Sequence, residues 1–153
     1  MKNLFLISLL SIMLIAFGCK KDDPSSSKAS FSARVQGTMW TGSIVTAVQF
    51  TGENLIMITA AGTNPSEQIS LDIKASGTGT FPINNDNLGT VEIGTYSFTS
   101  LISSNPLGQV VITKYDVTNK KISGTFYFDG EDMAGTVYHV TEGKFENIDL
   151  VID

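Results

Sequence analysis

A single histidine and a single cysteine are the chain's candidates for an imidazole base and a thiol nucleophile. His139 stands in Val137-Tyr138-His139-Val140-Thr141, a strand-like stretch, and a base there needs a hydroxyl to activate. The chain has serines in abundance but no Gly-x-Ser-x-Gly elbow. His139 is therefore read as a surface residue, and no catalytic residue is assigned. Asp129-Gly130-Glu131-Asp132 sets three carboxylates within four positions, which is oxygen chemistry suited to a hard cation. The spaced Asp-x-Asp-x-Asp-Gly run with a distal Glu is missing, so this stretch reads as an acidic hairpin tip. Asn84-Asn85-Asp86-Asn87 reads as a turn as well, since Asn tolerates turn geometry. Gly77-Thr78-Gly79 has no helix start behind it and is not a phosphate loop. Glycoside hydrolysis needs two facing acids, and no motif picks a pair from the 15 acidic residues. Phe126, Tyr127, Phe128, Tyr138 and Phe145 offer ring faces for a sugar, but this alternation more commonly gives core on one face and cross-strand pairs on the other. No metal and no cofactor is expected.

Composition narrows the field further. The chain has 153 residues, 10 basic and 15 acidic, for a net charge of −5. A broad basic face for nucleic acid is excluded as the basis of function. One Cys and one His cannot build a disulfide framework, a Cys/His zinc site or a two-histidine mechanism. With 42% hydrophobic and 16% charged residues, the chain has enough apolar material to fold and is not a long disordered segment.

The N-terminus carries a different kind of signal. Met1-Lys2-Asn3 is followed by an apolar run from Leu4 to Phe17, broken by Ser8 and Ser11. As a helix this run reaches about 21 Å, short of a hydrocarbon core of about 30 Å. A basic start, a short apolar stretch and small residues after it describe a secretory signal. Ala16-Phe17-Gly18-Cys19 resembles a bacterial lipobox, in which the Cys becomes the lipidated first residue of the mature protein. Phe17 departs from the small residue usual at its place. Residues 1–18 are thus expected to be a lipoprotein signal peptide and Cys19 the acylated anchor, which consumes the only thiol. Lys20-Lys21-Asp22-Asp23-Pro24-Ser25-Ser26-Ser27-Lys28 has no apolar residue to bury and reads as a flexible tether, residues 19–28. Cys-Lys-Lys-Asp-Asp also resembles the start of many Bacteroidota lipoproteins, some of which are exported to the cell surface by a signal of this kind.

The elements that must position any site begin at Ala29. Phe31, Ala33 and Val35 alternate with polar residues, and Ile69, Leu71 and Ile73 do the same. Ile44–Phe50 and Leu55–Thr59 flank a Gly52-Glu53-Asn54 turn and predict a hairpin. Gly94–Phe98 reads as a strand. Val110–Tyr115 and Ile122–Phe128 predict a second hairpin across Asp116–Lys121, with Ile122, Phe126 and Phe128 on one face. Asp129-Gly130 is expected to turn the chain, and Val137–Val140 and Lys144–Ile152 to form the closing strands. Trp40 is expected in the core. No long stretch keeps a helical apolar period, so residues 29–153 are expected to be a single all-β domain of about nine or ten strands. The expected form is a mostly antiparallel β-sandwich, with a closed or partly open β-barrel as the alternative.

Three blocks carry a family resemblance. They are Phe31-x-Ala33-x-Val35-x-Gly37-x-x-Trp40, the run from Ile112 through Asn119-Lys120-Lys121 to Phe126, and Thr141-Glu142-Gly143-Lys144-Phe145-Glu146-Asn147-Ile148. In this order they resemble a family of small Bacteroidota lipoproteins of unknown function. The resemblance implies an all-β fold and a cell-envelope address, and it carries no catalytic residues over. The resulting expectation is an outer-membrane lipoprotein, displayed at the surface and not an enzyme, that binds a glycan or a protein. A lipocalin-like carrier of a small apolar ligand is the alternative, and a hydrolase the least favoured class.

Overall fold

A computed structural model describes residues 28–103 and 106–153. The expected signal segment, Cys19 and nearly all of the tether lie outside the described residues. Among the described residues eleven strands form: β1 (Ser30–Val35), β2 (Thr38–Thr41), β3 (Ile44–Phe50), β4 (Leu55–Ala61), β5 (Glu67–Lys74), β6 (Gly79–Pro82), β7 (Leu88–Ile93), β8 (Tyr96–Thr99), β9 (Gly108–Asp116), β10 (Lys121–Glu131) and β11 (Val137–Ile152). One 3₁₀ turn, Ser100–Ile102, follows β8. The strands make one mixed sheet in the order β2-β1-β11-β3-β4-β5-β7-β8-β10-β9-β6, with a further pairing of β11 to β10. That last pairing folds the ladder back on itself, an arrangement that both the sandwich and the barrel description accommodate. The architecture is all-β and mostly antiparallel, as expected; β11 against β3 is its parallel pairing.

Several expectations about individual segments need correction. Asp129-Gly130 does not turn the chain: β10 runs through both residues to Glu131, and the reversal falls at residues 132–136. There Asp132 Oδ1 accepts hydrogen bonds from the Ala134 and Thr136 amides at 2.9 and 2.8 Å, which fixes a turn that starts three residues later than expected. Gly94-Thr95 is a turn rather than the start of a strand, and joins β7 to β8. The two expected closing strands are one, because β-bulges carry β11 past the residues that interrupt its alternation. Glu142 and Asn147 sit there in the left-handed region at φ 50° and 48°. Trp40 is half-buried at the rim; its ring meets Phe31 edge-on at 6.0 Å, and its Nε1 donates to Glu67 Oε2 at 3.1 Å, so the indole N–H needs no place in the core.

The interior is built from the inward positions of both halves of the sheet: Ile56, Ile58, Ile69, Leu71 and Ile73 on one side, Ile112, Ile122, Ile148 and Leu150 on the other. Phe126 lies at the middle of an aromatic cluster, with ring centroids 5.1 Å from Phe31 and 6.4 Å from both Phe128 and Phe145. Room for these rings comes from glycines within strands. A Cβ at Gly143 would stand 2.6 Å from the Phe126 ring, and one at Gly89 2.5 Å from that of Phe128. Glycine backbone covered by an aromatic ring is a recurrent device where a sheet bends sharply.

Candidate binding groove

Three strands set up the site. β10 pairs with β9 on one side and with β11 on the other. Since Phe126 and Phe128 point inward, Thr125 and Tyr127 point outward. Gln109 stands opposite Tyr127 and Val111 opposite Thr125 on β9; Lys144 stands opposite Thr125 on β11. Strict alternation from the buried Val140 would turn Glu142 inward. The bulge adds one residue between the Phe128 and Phe126 pairings and returns Glu142 to the outer face beside Tyr127. Six side chains therefore form a two-by-three grid: Gln109, Tyr127 and Glu142 in one row, Val111, Thr125 and Lys144 in the next. Strand spacing makes each row step about 4.8 Å and each step along the strand about 6.8 Å. The grid lines a groove of about 290 Å³ with Phe126 and Gly143 at its floor.

The walls are oriented rather than loose. Arg34 Nε donates to Glu142 Oε2 at 3.0 Å, while its Nη1 donates to the Gly37 carbonyl at 3.0 Å. Lys144 pairs with Glu146 at 2.8 Å. Tyr127 keeps 48% of its surface exposed. Among the described residues, the side chains of Gln109 and Thr125 and the phenol of Tyr127 have no protein hydrogen-bond partner. The groove thus offers a ring face, a fixed carboxylate, an ammonium, an amide and a hydroxyl within one small area.

The residues singled out from sequence fall elsewhere or play other parts. Of the five aromatics, Phe126, Phe128 and Phe145 are core and Tyr138 stacks on Phe98 at a centroid distance of 3.9 Å, which leaves Tyr127 alone as an open ring in the groove. His139 is exposed in the next outer row and its Nδ1 lies 2.7 Å from Asp129 Oδ1, directly across the strand pair. Among the described residues no hydroxyl or thiol hydrogen-bonds that imidazole. Asp129 is thus engaged with His139 and Asp132 with its own loop, so the acidic tip does not gather its carboxylates around one point, and no cluster of metal-binding side chains occurs among the described residues. Asn84 and Asn87 close the loop before β7: Asn84 Oδ1 accepts from the Asp86 and Asn87 amides, and Asn87 bridges the Lys74 amide and the Pro82 carbonyl. Glu142, Lys144, Gln109, Thr125 and Arg34 were not picked out from sequence as site residues. The only hint of a bulge there is the Thr141-Glu142-Gly143 break in the alternation.

A family model for a domain of unknown function, DUF6252, matches residues 27–149. The chain belongs to the DUF6252 family. No curated protein and no solved structure matches it. In this DUF6252 chain every residue of the groove lies inside the matched span, together with Arg34 and Glu146 that brace it.

Proposed function

We propose that this chain is a lipid-anchored, non-enzymatic lipoprotein of the Bacteroidota type, held at the outer membrane through Cys19 and displayed at the cell surface, where the groove on β9, β10 and β11 holds a ligand. The observation that carries the binding reading is Tyr127, half exposed on the outer face and flanked by an oriented carboxylate and unspent polar groups. The anchor reading rests on the lone Cys at the end of the N-terminal apolar run. Two further observations support this class over its rivals. The Phe31, Phe126, Phe128 and Phe145 rings fill the middle of the interior, where an apolar cargo would need space. The sole imidazole faces a carboxylate and no nucleophile.

The anchor is tested by Cys19→Ala in cells fed an alkyne analogue of palmitate. The wild-type chain is expected to take up label and sediment with outer membrane, and the variant to lose the label and run as a soluble or unprocessed form. A processed variant that still carries label would sink the lipoprotein reading.

A further inference from the structure

We infer that the groove is a site for one neutral pyranose ring of a glycan, with Tyr127 as the stacking face and Glu142 as the acceptor for ring hydroxyls; this rests on the reading of the chain as a surface binding module. The backbone at Glu142 is the first reason. Glu142 is one of five non-glycine residues in the left-handed region among the described residues, and it sits at the register shift between the Phe126 and Phe128 pairings. The effect of the shift is to bring an acidic side chain, 68% exposed, to the outer face beside an exposed aromatic. Arg34 occupies Oε2, and among the described residues Oε1 has no protein partner. A carboxylate held from one side in this way can accept from hydroxyl donors on the other.

Charge selects the ligand class. Glu142 and Lys144 in the groove are opposite in sign, and each is matched by a neighbour, Arg34 and Glu146. These four groups sum to zero formal charge, so the groove favours neither a phosphate or uronate nor a cation. A peptide backbone is a poor fit as well, since the strands beneath the grid already pair with each other and present side chains, not free amide edges. A sugar ring has what the grid lacks: an apolar C–H face for Tyr127, whose ring carries a negative π-face, and a perimeter of hydroxyls for Glu142, Gln109, Thr125 and Lys144.

The test is calorimetric titration of the full chain in detergent with four neutral oligosaccharides: cellohexaose, laminarihexaose, mannohexaose and xylohexaose. An oligogalacturonate serves as the charged probe. At least one neutral sugar is expected to bind saturably. Tyr127→Ala should weaken it about tenfold or more and Glu142→Gln several-fold. Tyr96→Ala removes another exposed ring, outside the groove, and should leave binding unchanged; unaltered melting temperatures certify all three variants as folded. Binding that is indifferent to Tyr127→Ala, or confined to the galacturonate, overturns the assignment. If no sugar binds but Tyr127→Ala releases a protein that co-purifies with the wild-type chain, the glycan is wrong and the binding module stands. If no sugar binds and nothing depends on Tyr127, both readings fall.

Discussion

Two aspartates on this small domain respond to their surroundings in opposite directions. Asp72 on β5 lies on the outer face between Met57 and Leu88 of the adjoining strands, and burial pushes its carboxyl above the ordinary range. Its Oδ1 is buried with no hydrogen-bond partner among the described residues. Asp116 opens the β9–β10 turn, where the Asn119 side-chain amide at 2.8 Å and its backbone N–H at 2.9 Å hold the carboxyl below the ordinary range. The signs follow from linkage. A raised carboxyl binds its proton more tightly in the folded state, so Asp72 withdraws stability as pH rises from the ordinary carboxylate range through its own higher pKa. A lowered carboxyl adds stability above the ordinary range, and that stability is lost as pH falls through its own lower pKa. Asp72→Asn should therefore stabilise the domain at pH 7, and the variant should gain less from mild acidification than the wild-type chain does. Asp116→Asn should blunt the loss of stability in stronger acid. Urea titrations across the acid range separate the two; a matched slope in wild type and Asp72→Asn would remove the first effect.

At the level of the strand, the glycines and phenylalanines act as pairs. Gly143 stands opposite Phe126 across β10 and β11, and the ring lies on the glycine backbone. Phe126→Ala should cost about 3–5 kcal/mol, as for other buried aromatics, while Tyr127→Ala should stay within about 0.5 kcal/mol because it faces water. Gly143→Ala pushes a methyl into the ring and should cost about 1–3 kcal/mol, most of it recovered when Phe126→Leu is made in the same chain. Chemical denaturation of the full cycle gives the coupling energy, and additive losses would mean the two residues do not share that space. The same elements mark what sequence can tell. The alternation in Ile122–Phe128 is uninterrupted, so the burial of Phe126 and Phe128 and the exposure of Tyr127 could be read directly. β7 could not, since Leu88-Gly89-Thr90-Val91 fills one inward position with a glycine that only makes sense beneath Phe128. Nor could Glu142: a bulge shifts the phase of every residue after it, and the period of two carries no sign of the residue at which the shift happens. The groove was thus half legible, its aromatic from periodicity and its carboxylate only from the folded strand.

For the molecule as a whole, β11 is the element on which closure depends. It pairs with β1 and β10 along most of its length and then with β3 through Leu150, Val151 and Ile152. Leu150 is buried, its amide donates to the Lys120 carbonyl at 2.9 Å, and the Asp153 amide donates to the Gln49 carbonyl at 3.0 Å. Gln49 is itself an interior residue, and its side chain accepts from the Tyr115 hydroxyl, so the last four residues also steady a polar contact at that end. Removing residues 150–153 should lower stability by at least the 2–5 kcal/mol or so expected for Leu150→Ala alone. The measurement is the urea midpoint, and a truncated chain as stable as the full one would show that the circuit need not close. Because the first strand meets the last, these contacts are far apart in sequence, and folding is expected on the slow millisecond-to-second scale of such topologies.

The pairing of Ser32 with Lys144 has a mechanical side. Lys144 is a wall of the groove, and Ser32 is two residues from the start of β1, where the N-terminal segment enters the domain. Tension between that segment and anything gripped by Tyr127 and Glu142 would run through β1 into β11 and β10. The hydrogen bonds of that path lie across the strands, so a pull along them loads several bonds together in shear instead of unzipping them singly.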